Sequence, residues 1–294
     1  MIPRPIRLLL AVTLAVSLAA CGGVRFAPVS EPPSNRHLPG KFVWHDLITP
    51  DVDDSKAFYG KLFGWQFETR DGYTLIRNDG RAIGGMVAAG RASDPRSARW
   101  LLSLSVRDVD EAVDGVRQAG GKLLRGPMDL PPRGRFALVS DNRGAQLGLL
   151  RSASGDPPDT PPAIGDWLWA ELWSNDLQAS LDFYRALLGY RAERLAADVR
   201  GVPYRVLSID GKWRAGIGQI PWENVHDQWI PYVRVADVAA TMARAEALGG
   251  EVYLKPQPGA PAMALIADPG GAILMIERWD ETPSVVAAPG EGRP

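Results

Sequence analysis

Apolar positions along this chain recur in a unit that switches from a strand-like to a helix-like period. From Lys41 to Phe67 the sequence reads KFVWHDLITPDVDDSKAFYGKLFGWQF. Phe42, Trp44, Leu47 and Ile48 predict a buried strand, and the Thr-Pro-Asp that follows removes a ladder donor and opens a turn. The pairs Phe58–Leu62 and Tyr59–Phe63 lie one helical turn apart. They predict a helix capped by Asp53 or Asp54 and stopped by Gly64 in the left-handed conformation. The series returns as DWLWAELWSNDLQASLDFYRALLGYRAE from Asp166 to Glu193, with Asp176 as cap and Gly189 as stop. Its apolar stripe is Leu177, Leu181, Tyr184 and Leu188. One spacing aligns both copies, so the chain carries an internal repeat and two similar domains are expected.

Each half contains the unit twice. In the first half, short strands are expected at Gln66–Arg70, Tyr73–Asn78 and Ala82–Val87, followed by a second opening strand at Trp100–Val106. A helix from Val109 to Ala119 then follows, capped by Asp108, with Val109, Val113 and Val116 inward. Lys122–Leu124, Phe136–Ser140 and Gln146–Leu150 complete the half. In the second half the matching elements are Trp229–Val235, a helix capped by Asp237, and strands at Glu251–Leu254, Ala262–Ala267 and Ala272–Glu277. The pattern predicts an α+β fold of four βαβββ units in two pairs.

The 294 residues are 46% hydrophobic, carry a formal charge of -1 and include ten Trp, enough for two cores and without the basic excess of a nucleic-acid binder. Residues 1–20 are not read as fold. Arg4 and Arg7 precede an apolar run from Leu8 to Ala20, too short to span a bilayer but suited to a signal peptide. The run ends in Leu-Ala-Ala-Cys, which resembles the lipobox of bacterial lipoproteins. The resemblance implies lipid on Cys21, cleavage just before it, and location in the cell envelope. With Gly22 next to it, the outer membrane is implied if the host is Gram-negative. A plain secretory signal or an uncleaved anchor is the alternative. Cys21 is the only cysteine, so an intramolecular disulfide is excluded. Residues 21–40, with four prolines and no apolar period, are expected to form an extended tether, and 281–294 a disordered tail. A second proline-rich stretch, 153–165, is expected to divide a domain at 41–152 from one at 166–280.

Tandem βαβββ units, with HDLITPDVDDSKAFYGKLFGW in front and DNRGAQLGLL or DPGGAILMIE behind, resemble the vicinal oxygen chelate superfamily, also called glyoxalase/bleomycin-resistance proteins. The resemblance covers about Lys41 to Trp279. It implies two glyoxalase-like domains, each an incomplete barrel around a cleft. In metal-dependent members it also implies ligands on the first and fourth strands of each unit. Carried over by position, His45 is a good ligand type, but Leu101, Gly148, Ala170, Ile230 and Met275 are not, nothing suitable lies from Ala82 to Ala89, and Gln219 is weak. No cofactor or metal is therefore expected. Asp46 and Glu171 follow the first-strand position by one residue and are expected on the opposite face as surface or structural charges.

Strand alternation then predicts which polar residues face the clefts: His45, Ser103 and Gln146 in the first domain, and Tyr232, Arg234 and Glu277 in the second. Trp44, Trp100, Trp169, Trp173 and Trp229 suit stacking on a flat ligand or simple core packing. The function that fits best is metal-free binding of a small organic molecule. A metal-dependent glyoxalase or dioxygenase, and a scaffold for protein contacts, are the alternatives. The expected partners are the small molecule and the membrane, with no nucleic acid.

Overall fold

In the computed structural model, which describes residues 24–89, 96–194, 202–222, 225–257 and 262–279, the four expected units are present in order. The first is β1 (Phe42–Thr49), α1 (Val52–Phe63), β2 (Gln66–Arg70), β3 (Tyr73–Asn78) and β4 (Arg81–Ala88). The second is β5 (Arg99–Ser105), α2 (Val109–Gln118), β6 (Lys122–Leu130), β7 (Gly134–Ser140) and β8 (Gln146–Ser152). The second half repeats this as β9 (Trp167–Ser174), α3 (Leu177–Leu188), β10 (Arg191–Arg194), β11 (Tyr204–Ile209) and β12 (Lys212–Gln219). It closes with β13 (Gln228–Arg234), α4 (Val238–Ala247), β14 (Glu251–Leu254), β15 (Met263–Ala267) and β16 (Ile273–Glu277). Each half folds into one eight-stranded mixed sheet, in the orders β2-β3-β4-β1-β5-β8-β7-β6 and β10-β11-β12-β9-β13-β16-β15-β14. The seam at the middle of each is the antiparallel pair of opening strands, β1 with β5 and β9 with β13.

The helix ends follow the sequence logic with one correction. Asp51, not Asp53 or Asp54, caps α1: its side chain accepts the Asp54 N–H, and the other two acids sit in the first turn, where a negative charge faces the helix dipole. Asp108, Asp176 and Asp237 cap α2, α3 and α4 as expected.

Each helix packs on the sheet of its own half and against a helix of the other, α1 on α4 and α2 on α3, and a single apolar core runs through both domains and includes Leu47, Tyr59, Trp100, Leu147, Leu172, Tyr184 and Trp229. Two matched polar contacts cross it. The Tyr59 hydroxyl donates to Asp268 at 3.0 Å, and the Tyr184 hydroxyl donates to Asp141 at 3.0 Å. Trp100 and Trp229 in turn donate their indole N–H to those two hydroxyls. Both aspartates lie in the turns before the last strand of their half, where their other oxygen accepts a backbone N–H from Ala145 or Ala272.

Two segments expected to be loose are packed. From Val24 onward the proline-rich stretch is no tether but a strap along the first sheet, with Val29 only 2% exposed. The physical reason lies in its scattered apolar residues, which have no period but do have a surface to cover: Phe26 packs on Tyr73 at 5.3 Å between ring centroids. The stretch 153–165 is likewise pinned, because buried Asp156 accepts the Leu38 N–H and the Ser105 hydroxyl, joining linker, strap and β5. The expected signal peptide, Cys21 and the expected tail 281–294 lie outside the described residues.

Candidate functional site: two clefts with one floor plan

The opening strands decide what reaches each cleft. On β1, Leu47 points into the shared core, so its neighbour two residues back, His45, points the same way. Trp44 and Asp46 therefore face the cleft. This reverses the assignment expected from sequence, and the same holds for Glu171 on β9. His45 is 4% exposed and stacks on Trp167 of the other domain, with centroids 4.2 Å apart and planes 17° off parallel. Burial holds its imidazole far below the ordinary value, at about 3.

In the first cleft Asp46 is the centre of a closed network. Its Oδ1 accepts from Trp44 Nε1 at 3.1 Å and from the Tyr73 hydroxyl at 2.5 Å. Its Oδ2 accepts from Arg133 Nη1 at 2.8 Å, and Arg133 Nη2 also donates to the Tyr73 oxygen at 2.6 Å. The Arg133 side chain is 2% exposed, and its guanidinium lies 4.6 Å from the Trp44 ring and 5.1 Å from those of Tyr73 and Phe26. Its Nε donates to the Ala27 carbonyl of the strap. Burial opposes the Arg133 charge, and Asp46 with Tyr73 more than offsets it, so the guanidinium stays protonated. Gly85 leaves the room: a Cβ there would lie 1.8 Å from the Tyr73 oxygen.

The second cleft repeats the floor. Trp169 Nε1 donates to the Tyr204 hydroxyl at 3.0 Å, matching Trp44 and Tyr73, and a Cβ on Gly216 would lie 1.7 Å from the Tyr204 oxygen. Glu171, 1% exposed, takes the place of Asp46 and accepts from Trp173 Nε1 at 2.7 Å and the Tyr232 hydroxyl at 2.6 Å, among other contacts. Beside it opens a cavity of about 80 Å³ walled by Trp173, Trp222, Leu254, Met263 and Met275, with Lys255 among its lining residues. Trp222 is 37% exposed and leans on Trp173 at 5.3 Å.

None of the six residues expected to face a ligand lines that cavity. His45 is in the domain seam. Ser103 does face the first cleft but is 1% exposed, and Gln146 is exposed at the start of β8. Tyr232 lies at the second floor through Glu171. Arg234 and Glu277 share its face in register, but Arg234 ties to the Pro162 carbonyl and covers Trp279 at 5.2 Å, at the linker end of the sheet. The residues that sequence reasoning missed are Asp46, Tyr73, Arg133, Glu171 and Trp222. The signal that could have found Asp46 and Glu171 was the repeated alternation Trp-x-Asp and Trp-x-Glu, each followed directly by a core leucine, Leu47 or Leu172.

A divalent ion of the kind the fold implies does not fit these floors. Asp46 pairs in register with Gly85 and Leu101, and Glu171 with Gly216 and Ile230, so among the described residues each floor offers one carboxylate and no His, Cys, Asp or Glu opposite it on the adjoining strands. Among the described residues no three of His, Cys, Asp or Glu come together.

The profile described as "Glyoxalase/Bleomycin resistance protein/Dioxygenase superfamily" matches residues 15–149, and that of a glyoxalase-like domain matches 170–276. The CFP32 protein of Mycobacterium tuberculosis, provisionally named a glyoxylase, is 29% identical over 256 residues, covering 83% of this chain and 97% of its own. The anthracycline biosynthesis protein DnrV of Streptomyces peucetius is 29% identical over 239 residues, 75% of this chain and 86% of its own. Among solved structures, the Mn(II)-bound glyoxalase from Novosphingobium aromaticivorans aligns with a TM-score of 0.58 at 16% identity, covering 82% of each chain. Since the two profiles between them take in both sheets, this chain belongs to the glyoxalase/bleomycin resistance/dioxygenase superfamily, as a two-domain member.

Proposed function

We propose that this chain is a lipid-anchored envelope protein whose second domain binds a small organic molecule without a divalent metal. The observation that carries the binding half is the cavity of the second domain: apolar and aromatic walls with a few polar groups, Gln219, Lys255 and Gln257, the usual make-up of a small-molecule site. At about 80 Å³ the cavity is smaller than the roughly 300–1,000 Å³ of sites that enclose a drug-sized ligand, so it takes one end of a molecule. Relatives named for anthracycline biosynthesis, and solved neighbours named as catechol and ring-cleaving dioxygenases, agree with a small organic ligand as the theme. The donor set supports the reading without a metal: among the described residues each floor carries a single carboxylate, too few ligands for an ion that polarises a substrate.

The anchoring half rests on the charged start, the short apolar run and Leu-Ala-Ala-Cys at residues 18–21. Mass spectrometry of the mature protein should find an acylated Cys21 at its end, and an intact Met1 would refute it. For binding, the mature protein is screened by thermal shift with small aromatic compounds, with and without divalent metals, since a ligand of the native state raises its melting point. Metal-independent shifts support the proposal. Stoichiometric bound metal that is lost on Glu171→Gln would replace it with the enzyme.

A further inference from the structure

The strap fixes how far this protein can stand from a membrane. We propose that the end of the first sheet where the strap begins is a membrane-facing surface, resting on phospholipid headgroups and held there by the lipid on Cys21. This goes beyond the anchoring reading above and rests on it.

The strap is attached from its first described residue. The Arg25 N–H donates to the Asp71 carbonyl at 3.3 Å, and a Cβ on Gly72 would meet the Val24 side chain at 3.5 Å. Val24, Phe26 and Ala27 join the apolar cluster of Val43, Trp44 and Tyr73, and Arg133 Nε donates to the Ala27 carbonyl at 3.0 Å. Farther on, the Ser30 N–H donates to Ser154 Oγ at 3.0 Å and the Asn35 N–H to the Ser154 carbonyl at 3.2 Å. Freeing the strap would return its apolar side chains, Val29 among them, to water, which opposes release.

Only three residue steps separate Cys21 from Val24. Whatever their path, they span at most about 11 Å, since an extended chain advances no more than ~3.6 Å per residue. A free tether from Cys21 to Lys41 would reach about 60 Å at roughly 3.1 Å per residue, so docking of the strap shortens the reach several-fold. The headgroup layer is itself about 5–8 Å deep on each side of the hydrocarbon, so Val24 and its neighbours come to its edge. Those neighbours line an open groove of about 480 Å³, with Val24 and Phe26 of the strap and Leu130, Pro131 and Pro132 of the turn between β6 and β7 as its apolar part. Arg25 is the one cation among the groove residues, against Asp71 and Asp129, so charge gives this surface no attraction to anionic lipid. The contact is made by the short tether and the apolar residues.

The test uses the mature acylated protein in phosphatidylcholine vesicles. Acylation consumes the only cysteine, so Asp129→Cys supplies a single thiol for a fluorophore at the groove, far from the anchor in sequence. Energy transfer to an acceptor on the lipid headgroups is expected to be strong and unchanged by added salt. Inserting about twenty Gly and Ser residues between Gly23 and Val24, a spacer of roughly 25 Å root-mean-square span, should lower the transfer at least twofold. Phe26→Ser together with Val29→Ser loosens the strap at constant chain length and should lower it likewise. Weak transfer without the spacer, or transfer indifferent to both changes, would overturn the proposal. Transfer lost in salt would overturn it too, because attraction between charges would then be holding the surface down. An unmodified Cys21 in the mature protein, read by mass spectrometry before reconstitution, would overturn the anchoring reading and this surface with it.

Discussion

Acid should weaken the seam between the two domains, and His45 is the group that makes it do so. The imidazole is stacked on Trp167 with no hydrogen-bond partner for either nitrogen among the described residues, and burial lowers its pKa from 6.5 to about 3. Between those values the unfolded chain binds a proton that the folded chain refuses, so stability falls as pH drops through 6.5 and keeps falling toward 3. At pH 5 the loss relative to pH 8 is about 2 kcal/mol, at 1.36 kcal/mol per pH unit below the unfolded pKa. Asp268 acts in the opposite sense. Burial, only partly countered by its hydrogen bonds, raises it to about 6, so the folded state holds its proton more tightly and gains stability as pH falls through 6. That gain is roughly 1.4 kcal/mol at pH 5 by the same arithmetic, enough to hide most of the histidine's effect in the wild-type curve. The comparison must therefore be between variants. His45→Phe keeps a ring against Trp167 and removes the titration. Urea unfolding at pH 8 and pH 5 should show the variant gaining about 2 kcal/mol on the wild type between the two conditions. Parallel pH dependences for the two proteins would refute the account.

Tyr59→Phe removes the hydroxyl that serves both Asp268 and Trp100 and should cost about 1–3 kcal/mol in urea unfolding, because two buried polar groups lose their partner. Arg133→Met leaves Asp46 buried without its counter-charge, and a loss of about 3–5 kcal/mol is expected, read as a lower urea midpoint with an unchanged slope. Limited digestion of the native protein with a nonspecific protease should spare the connection around Asp156; early cleavage there into two stable halves would contradict the pinned linker.

The repeat, the four units and three of the four helix caps were legible because they depend on local patterns: an apolar period, an aspartate before it and a glycine after it. What the sequence hid was which side of each sheet would become the core. Both faces of β1 are apolar enough to be buried, with Trp44 on one side and Leu47 on the other, and alternation fixes the two sets without saying which set faces the helices. That single ambiguity sent His45 to the cleft and Asp46 to the surface on paper, when the structure has them the other way round. Arg133 was hidden for a different reason. An arginine in a proline- and glycine-rich turn carries no local mark of burial, and only the aromatic rings and Asp46 brought from distant strands give it a place inside.

The crossed contacts between halves, Tyr59 on Asp268 and Tyr184 on Asp141, have the reciprocity of a two-fold axis: what the first half offers the second, the second offers back. That is the geometry of a symmetric homodimer, here written into a single chain. In a homodimer every substitution appears twice, so a residue that sealed one cleft would seal the other. Joining the copies end to end lifts that restriction. One half could then give up its cleft to Arg133 and the strap, and serve as a fixed support, while its twin kept an open one.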